Sequence, residues 1–393
     1  MSRPHGPLEG ITVLSLEQAI AAPFCTRQLA DLGARVIKIE RPGPGDFARA
    51  YDGRVRGLSS HFVWTNRSKE SLTLDVKAPA AAPVLEALLA RTDVLVQNLA
   101  PGASARLGLD YETLSKRYPR LIVCDISGYG GDGPYRDKKA YDLLVQSESG
   151  FVSVTGTPEE GVKAGASVAD IAAGMYAYSN VLAALIERGQ TGRGKHIDVS
   201  MLESMVEWMS FPMYYAFDGA EPPPRAGAAH ATIYPYGPFP TGDGKTVMLG
   251  LQNEREWAVF CKTVLQEPEL ATHAAFATNS LRSANRAQLR ARIVETFAHL
   301  TAAQVVQRLE EAKIANANVN TMADVWAHPQ LAARERWRKV DTPAGQVPAL
   351  LPPGMTDARM DPVPAAGQHT DAILAEAGCG AEQIARLHAH GVV

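Results

Sequence analysis

The fold is set by a stretch near the N-terminus, 11-ITVLSLEQAIAAPFCTRQLADLGARVIKIE-40. Residues 11–16 form a short apolar run typical of a buried strand, and residues 34–40 form a second one. Between them, residues 23–33 have the apolar spacing of a helix, which Gly33 would end. A strand, a helix and a strand in this order predict one β-α-β unit with two parallel strands.

The same alternation of apolar runs and helical stretches continues to about residue 217. The predicted elements are strands at 71–76, 93–98 and 121–127, and helices near 79–91, 110–118, 168–188 and 201–217. Strands that alternate with helices form a parallel sheet covered on both faces. We therefore predict an α/β fold with a doubly wound, Rossmann-like sheet, whose ligand lies at the carboxyl ends of the strands.

The pattern changes at the Pro-rich segment 221-EPPPRAG-227, which predicts a domain boundary. Beyond it, residues 234–251 indicate two hairpin strands around the Gly-Asp-Gly turn at 242–244. Helical stretches follow to about residue 320. We therefore expect a second, smaller domain of α+β type to begin at residue 221.

Composition excludes several function classes. The 393 residues carry 39 Lys and Arg against 42 Asp and Glu, a net charge of −3. Without a long basic run, neither a nucleic acid nor a membrane is an expected partner. The N-terminus lacks the apolar core of a signal peptide, and no apolar stretch reaches the roughly 18 residues of a membrane-spanning helix, so a cytoplasmic protein is expected. The cysteines and histidines lack the spacing of a disulfide framework or a metal site, so no metal is expected.

Residues 128-GYGGDG-133 match the dinucleotide fingerprint G-x-G-x-x-G and follow a predicted strand. That fingerprint requires glycines that open a helix and an acidic residue about 20 positions further on. Here Pro134 follows the glycines directly, and residue 153 is serine. We therefore interpret the segment as a glycine loop that lets the backbone approach a ligand, and not as a nicotinamide site. The chain also lacks the G-x-S-x-G elbow of α/β-hydrolases.

Asp170 is the most suggestive acidic residue. It lies near the start of an apolar helix in 165-GASVADIAAGMYAYSNVLAALIERG-189, where backbone N–H groups and the macrodipole favour an anion. A carboxylate at this place is expected to stay ionised. Two interpretations are open: a helix cap, or a nucleophile that attacks an activated acyl group while ionised and accessible.

Four cations lie beside predicted strand ends: Arg41, Lys77, Arg106 and Lys139. Each alone is typical of a solvated surface charge. Together, and without a Gly-rich turn in the first β-α-β unit, they favour a ligand whose phosphates are neutralised by separate Lys and Arg side chains. Such a ligand is a nucleotide-bearing cofactor other than NAD.

Several stretches together carry a resemblance to a known family. They are PLEGITVLSLEQAIAAPF (7–24), LADLGARVIKIERPGPGD (29–46), NRSKESLTLDVK (66–77), VQNLAPGASARLGLDYETL (96–114), SGYGGDGPY (127–135), YDLLVQSESG (141–150), GASVADIAAGMYA (165–177), ALIERGQTGRGKHIDVSM (184–201), GQHTDAILAEAG (367–378) and IARLHAHGVV (384–393). The chain resembles the family III CoA-transferases, which include formyl-CoA:oxalate and carnitine CoA-transferases, and the related α-methylacyl-CoA racemases. The resemblance covers nearly the whole chain.

The resemblance implies that Asp170 is the acyl-accepting nucleophile. Its carboxylate would attack the thioester of a donor acyl-CoA to give a mixed anhydride, which the released CoA thiolate would convert to an aspartyl-CoA thioester. The acceptor acid would then attack this thioester, and CoA would return to the new acyl group. Each intermediate is an activated acyl compound, so the site has to exclude water.

The resemblance also implies which residues bind CoA. They are Gln18, Ala19, Ile20, Arg41, Leu74, Lys77, Asn98, Leu99, Arg106 and Lys139. The cations would hold the phosphates, Asn98 would contact an adenine edge, and the two leucines would contact its faces. Ile20 departs from the formyl-CoA enzyme, which has glutamine there, and that enzyme's tetraglycine loop corresponds here to 226-AGAAH-230.

The fold that the resemblance implies has a large CoA-binding domain made from residues 1–220 and 326–393, with the small domain at 221–325. Two such chains would form an interlocked homodimer, which buries far more surface than a transient contact. The resemblance, and not the sequence pattern, is the ground for this expectation.

Residues 15–38 and 230–244 are similar to family members that act on short C5 dicarboxylates such as itaconate, mesaconate or citramalate, usually with succinyl-CoA as donor. A second carboxylate on the acceptor needs a cation or a hydroxyl to bind it. The candidates are Arg225, His230 and Tyr234. Ordinary linker and turn roles are the alternative for all three.

Two other functions stay open. The racemases use a histidine where this chain has Tyr141, in 140-AYDLL-144. A tyrosine, with a reference pKa of about 10, is a poorer proton shuttle at neutral pH, so CoA transfer is favoured. The second alternative is a non-catalytic protein that binds acyl-CoA through the same cations, and the position of Asp170 argues against it.

Overall fold

The computed structural model describes residues 6–393, which divide into two compact units. The sheet unit holds the described residues up to Phe151, Ala164–Met209 and Gln330–Val393, and the small unit holds Val152–Lys163 and Ser210–Pro329. Val152–Lys163 and residues 210–220 group with the small unit, although the predicted large domain includes them. The predicted domain boundaries after residues 220 and 325 stay a prediction.

The secondary structure contains strands and α-helices in both units. The strands are β1 (Thr12–Leu16), β2 (Arg35–Glu40), β3 (Lys69–Thr73), β4 (Val94–Gln97), β5 (Ile122–Ser127), β6 (His196–Ser200), β7 (Tyr236–Pro240), β8 (Thr246–Gly250), β9 (Ala315–Asn318), β10 (Trp337–Val340) and β11 (Val347–Leu350). The helices are α1 (Ala21–Asp31), α2 (Ser60–Thr65), α3 (Ala82–Leu89), α4 (Ala103–Arg106), α5 (Tyr111–Arg117), α6 (Asp142–Glu148), α7 (Phe151–Val154), α8 (Val168–Thr191), α9 (Met201–Trp208), α10 (Ser210–Tyr215), α11 (Glu254–Val259), α12 (Asn279–Ala284), α13 (Arg286–Ala298), α14 (Ala302–Glu311), α15 (Met322–Trp326), α16 (Pro329–Ala333), α17 (Thr370–Glu376) and α18 (Ala381–Ala389).

The main sheet confirms the predicted parallel α/β architecture. Its strand order is β3-β2-β1-β4-β5-β6, and every neighbouring pair is parallel. The order reverses between β1 and β4, so the loops after these two strands border the crevice in which doubly wound sheets bind ligands. The third strand begins and ends earlier than predicted, because the chain turns at Asp75, whose side chain accepts a hydrogen bond from the Lys77 N–H.

Both faces of the sheet are buried, which explains the continuous apolar runs that predicted the strands. One face, with Val13 and Val94, packs with residues of α1 and α8. The other, with Leu14 and Leu95, packs with α3, α17 and α18. Burial of each such side chain contributes roughly 1.5–3 kcal/mol. Because α17 and α18 cover the sheet, residues from both ends of the chain build this unit.

Helix α8 lies against α1 through small residues. A Cβ added to Gly174 would lie 2.7 Å from the Ala21 carbonyl oxygen and 3.0 Å from the Phe24 ring. Only glycine therefore permits this approach. Asp170 lies one turn before Gly174 on the same face of the helix, so the packing brings Asp170 toward the start of α1 and the loop after β1.

Helix α8 also corrects one sequence expectation. It is 24 residues long, and it is the one helix in the described part of the chain long and apolar enough to cross a membrane, judged by length and composition. Core helices of soluble proteins meet the same criteria. Here the small side chains Ala169, Ala172, Ala173 and Ala177 are fully buried in the core of the sheet unit.

The small unit has its own core and its own antiparallel sheet. Strands β7 and β8 pair as the predicted hairpin, and β9 adds to β8. Large side chains such as Trp257, Phe260 and Phe297 fill the space between this sheet and the helices that follow. Strands β10 and β11 form a separate two-stranded sheet in the sheet unit.

Candidate active site

The loops after β1 and β4 are joined at the reversal of strand order. Asn98 Oδ1 accepts a hydrogen bond from the Gln18 N–H at 2.9 Å, and Asn98 Nδ2 donates to the Gln18 carbonyl at 2.9 Å. Ala19 has a φ of 61°, and its N–H donates to Asp46 at 3.2 Å. Three residues predicted to bind CoA, Gln18, Ala19 and Asn98, are thus fixed in one place. The Asn98 amide, for which an adenine contact was predicted, holds this loop.

Beneath this loop lies a buried charge cluster made of Glu17, Lys38, Asp46 and Lys69. The side chains of all four residues are 0% exposed. Glu17 Oε1 lies 2.7 Å from Lys69 Nζ and 3.3 Å from Lys38 Nζ, and Lys38 Nζ lies 2.8 Å from Asp46 Oδ2. Burial raises the pKa of Glu17, but Lys69 and Lys38 outweigh burial and hold it below its ordinary value. The cluster ties the end of β1 and the middle of β2 to the start of β3.

The sequence did not predict this cluster. The available signal was a set of charged residues inside strands that are otherwise apolar, namely Lys38 and Glu40 in "RVIKIE" and Lys69 at the start of β3. Because strands of a parallel sheet are buried on both faces, such charges require partners. Glu40 finds one in Arg49, with two contacts of 2.7 Å.

The four cations predicted to bind phosphates have a different setting. Arg41, Lys77, Arg106 and Lys139 are all exposed, and none forms an ion pair with a carboxylate among residues 6–393. Arg41 directly follows β2, and Lys77 lies in the turn after β3, at the carboxyl edge of the sheet. The apolar candidates differ from one another: Leu74 and Ile20 are buried at 1% and 4% exposure, while Leu99 is half-buried.

The glycine loop after β5 opens no helix at its glycines, in agreement with the sequence interpretation. Gly130 and Gly133 have positive φ, and the Gly131 N–H donates to Asp198 at 2.9 Å. A Cβ on Gly128 would lie 2.2 Å from the Ala140 Cβ. These glycines serve turns and close packing within the protein, and α6 begins only at Asp142.

The surroundings of Asp170 at the start of α8 differ from the sequence expectation. Its neighbour in space, Asp142, accepts hydrogen bonds from the N–H groups of Ala169 at 2.8 Å and of Asp170 at 3.4 Å. Asp170 itself therefore does not cap the helix. Burial and the like charge of Asp142 raise the pKa of Asp170 to about 7, so the expectation that it simply stays ionised is wrong.

Tyr51 is a neighbour of Asp170 that the sequence did not indicate. Burial, with the negative charges of Asp46 and Asp170 and the nearby Tyr141, raises the pKa of Tyr51 to about 12. Its phenol therefore keeps its proton at neutral pH and can donate a hydrogen bond. Tyr51 follows the end of β2, and its ring lies edge-on to His61 at 5.3 Å. The one signal for Tyr51 in the sequence was its position in the loop after β2.

The acceptor candidates lie in the small unit and each has a local structural role. The Arg225 guanidinium donates to the Thr157 and Pro158 carbonyls, both at 2.8 Å. His230 Nδ1 accepts from the Ile233 N–H at 3.0 Å, and Tyr234 is buried in the core at 4% exposure. Arg225 also lines a cavity of about 520 Å³ within this unit, together with Thr232, Asn279, Ser280, Ser283 and Arg286.

The sheet unit thus combines three features that suit acyl transfer. A carboxylate with a raised pKa lies at the start of a buried helix, and a neutral phenol lies beside it. Exposed cations follow the strands at the carboxyl edge of the sheet. A carboxylate can form a covalent acyl intermediate when it is ionised, and separate Lys and Arg side chains can bind phosphates. Within residues 6–393 no group of three or more His, Cys, Asp or Glu side chains is placed to hold a metal ion.

Comparison with known proteins agrees with these features. The model of CoA-transferase family III matches residues 8–370. The human succinyl-CoA:glutarate CoA-transferase is 36% identical over 94% of this chain and 86% of its own length. The succinyl-CoA:mesaconate CoA-transferase of Haloarcula hispanica is 32% identical over 95% of this chain and 97% of its own length. A CAIB/BAIF family protein from Brucella suis, known from a crystal structure, has a TM-score of 0.82 at 35% identity over 95% of this chain and all of that one. The chain therefore belongs to CoA-transferase family III and is an enzyme of that class.

Proposed function

We propose that this enzyme moves CoA from succinyl-CoA to a short C5 dicarboxylic acid, with Asp170 as the nucleophile. The observation that carries the proposal is the carboxyl group of Asp170, which has a pKa of about 7 and lies at the start of a buried helix in a chain of this family. A carboxylate of higher pKa is more basic and attacks a thioester more readily, and near neutral pH a large fraction is still ionised.

The reaction has four covalent steps. The Asp170 carboxylate attacks the donor carbonyl carbon; a C–O bond forms, the C–S bond breaks, and CoA leaves as thiolate. The thiolate attacks the aspartyl carbon of the mixed anhydride, which releases succinate and leaves an aspartyl-CoA thioester. The acceptor carboxylate then displaces CoA to form a second anhydride, and the thiolate attacks the acceptor carbon. Asp170 is regenerated as a carboxylate, and no proton is consumed overall.

The proposed CoA contacts are those of the sequence prediction. Arg41, Lys77, Arg106 and Lys139 bind phosphates, which their exposure and their lack of carboxylate partners in residues 6–393 support. Gln18, Ala19, Ile20, Asn98 and Leu99 contact the cofactor at the loops where the strand order reverses, and Leu74 contacts it after β3. Leu74 and Ile20 are the weakest members of the set, because their side chains are buried.

We also propose that the acceptor is recognised through Arg225, His230 and Tyr234, and that the enzyme acts as a homodimer. Arg225 and Arg286 give the small-unit cavity two cationic groups and no acidic one, which favours an anionic ligand. Relatives named for glutarate and mesaconate support a C5 dicarboxylate as acceptor. Itaconate, mesaconate, citramalate and glutarate are therefore the acids to test first.

An exchange assay tests the substrate class. Succinyl-CoA is incubated with each of the four acids and with matched monocarboxylates, and the new acyl-CoA is identified by mass spectrometry. We expect a C5 dicarboxyl-CoA product. Product formed equally well from a monocarboxylate would contradict the acceptor assignment. Exchange of the α-proton of a 2-methylacyl-CoA in heavy water, without CoA transfer, would instead identify a racemase.

Trapping tests the nucleophile. The enzyme is mixed with succinyl-CoA, treated with hydroxylamine, and digested for peptide mapping. We expect a hydroxamate on Asp170, and none in the Asp170→Asn variant. An unmodified Asp170 under conditions of turnover would rule out the covalent route.

A further inference from the structure

Helix α8 is capped by a residue from another element. Its N-cap, Ser167, makes no side-chain hydrogen bond to the helix. Asp142 Oδ1, at the first position of α6, instead accepts from Ala169 at 2.8 Å and from Asp170 at 3.4 Å. The remaining N–H groups of the first turn also have partners, since Val168 donates to the Ala166 carbonyl and Ile171 to the Ser167 carbonyl. The anion site at this helix start is therefore occupied.

A buried glutamine holds Asp142 in place. Gln146 Nε2 donates to Asp142 Oδ2 at 2.6 Å, and Gln146 Oε1 accepts from the Ala164 N–H at 2.9 Å. Gln146 is 0% exposed. Its amide therefore joins α6 to the segment that leads into α8. Asp142 accepts three N–H donors and donates to none of them, as an ionised carboxylate does.

We infer that Asp142, clamped by Gln146, is a positioning residue for Asp170 and occupies in its place the anion site at the start of α8. The inference rests on the proposed function, in which Asp170 is the nucleophile. Because Asp142 takes the N–H groups and the favourable end of the helix dipole, the Asp170 carboxylate is left with burial and a like charge. These two causes raise the pKa of Asp170 to about 7.

The groups near Asp170 come from two places, α6 with its N-cap and the loop after β2. Asp142 lies in α6, Tyr141 precedes it at the N-cap of that helix, and Tyr51 lies in the loop after β2 and feels the charge of Asp46 as well. Tyr51, whose pKa is about 12, is neutral near pH 7. Asp142 is the one charged side chain that contributes to the raised pKa of Asp170, so it is the group to change.

The test is the pH dependence of Asp170 acylation by succinyl-CoA in single-turnover trapping. For Asp142→Asn, which keeps an acceptor oxygen and removes the charge, we expect the acid limb of the profile to move down by about one pH unit. The acylation rate at high pH should fall as well, because the nucleophile is less basic. Asp110→Asn is the matched control: Asp110 caps α5 through the Thr113 N–H at 2.9 Å, and its variant should keep the parent profile.

A double variant separates charge from geometry. In Asp142→Asn the new amide N–H₂ would face the N–H₂ of Gln146, so the clamp is broken as well. In Asp142→Asn/Gln146→Glu, a carboxylate at 146 can accept from both that amide and the Ala164 N–H. The clamp and a nearby negative charge are then restored together. We expect its profile to return toward that of the parent protein.

The outcomes distinguish this inference from the proposed function. If Asp142→Asn keeps the parent profile while Asp170→Asn abolishes trapping, the role of Asp142 is wrong and the proposed function stands. If the parent is not acylated by any donor, the proposed function fails. In that case a ¹³C-carboxyl NMR titration of Asp170, assigned with Asp170→Asn, still tests the inference. A pKa of Asp170 that is the same in Asp142→Asn as in the parent protein contradicts it.

Discussion

Two carboxylates in the sheet unit differ in what surrounds them. Glu17 is fully buried but lies within 3.3 Å of two lysines, and its pKa is below the ordinary value. Asp170 is only partly buried, has the anion Asp142 beside it, and has a pKa of about 7. Burial opposes ionisation at both sites, and the neighbouring charges decide the sign of the net shift. Glu17 therefore has a structural role, whereas Asp170 has the basicity of a reactive group.

The largest effect is expected from Asp170→Asn. Removal of the proposed nucleophile should lower kcat/KM for CoA transfer by at least about a thousandfold. A measured loss of less than about tenfold would contradict a covalent role for Asp170.

The same variant should gain stability at high pH. The pKa of Asp170 is about 7 in the folded chain against a reference value of 3.8. Ionised Asp170 thus destabilises the fold fully above about pH 7. This cost shrinks as the pH falls and disappears below about pH 3, where both states hold the proton. The Tm of Asp170→Asn should exceed that of the parent at about pH 8, and the difference should nearly vanish by about pH 4. Equal Tm differences at both values would contradict the raised pKa.

Two lysines, one buried and one exposed, test the structural role assigned to Glu17. Lys69→Met leaves Glu17 without its 2.7 Å partner, and breaking a buried pair costs about 3–5 kcal/mol in the free energy of unfolding. Lys77→Met changes an exposed lysine, so the same quantity should change by less than about 0.5 kcal/mol. Urea denaturation measures both.

Lys77→Met should instead change substrate binding. Loss of one phosphate contact is expected to raise KM for succinyl-CoA about tenfold, with kcat nearly unchanged. If Lys77→Met proved as destabilising as Lys69→Met, the division between structural and ligand-binding lysines would be wrong.

The pH profile of the parent enzyme tests directly whether the pKa of Asp170 is raised. In the proposed mechanism acylation requires ionised Asp170, so the acylation rate should rise about tenfold per pH unit up to about pH 7 and then level off. The profile is measured by single-turnover trapping with succinyl-CoA. An acid limb near pH 4 would show that Asp170 behaves as an ordinary carboxylate.

The smallest effect is expected from Tyr51→Phe. The variant removes a neutral O–H donor beside Asp170, and loss of one hydrogen bond of about 1 kcal/mol corresponds to roughly fivefold in the acylation rate. Tyr51 is 46% exposed, so stability should hardly change. An unaltered rate would show that Tyr51 does not donate to the reacting acyl group.

Much of the fold could be predicted from the sequence because strands buried on both faces leave a strong apolar signal. The strands β1, β2, β4 and β5 lie where they were predicted. β3 is displaced by the turn at Asp75, and β6 was not predicted, since two of the five residues of "HIDVS" are exposed charged or polar groups of an edge strand. In the site, Asp170 and the strand-end cations were named from the sequence and stay predictions, whereas the buried charge cluster and Tyr51 were not named.

The sequence by itself determined the β-α-β alternation, the family, and the residue types that acyl transfer needs, because periodicity and motifs are local in the chain. Only the tertiary structure decided the charge state of those residues. Asp142 is 28 residues from Asp170, and Lys69 is 52 residues from Glu17. Desolvation and Coulomb interactions depend on distance in space and on the water excluded around the group. The same carboxyl group is therefore held as a structural anion at Glu17 and left as a more basic group at Asp170, the proposed nucleophile.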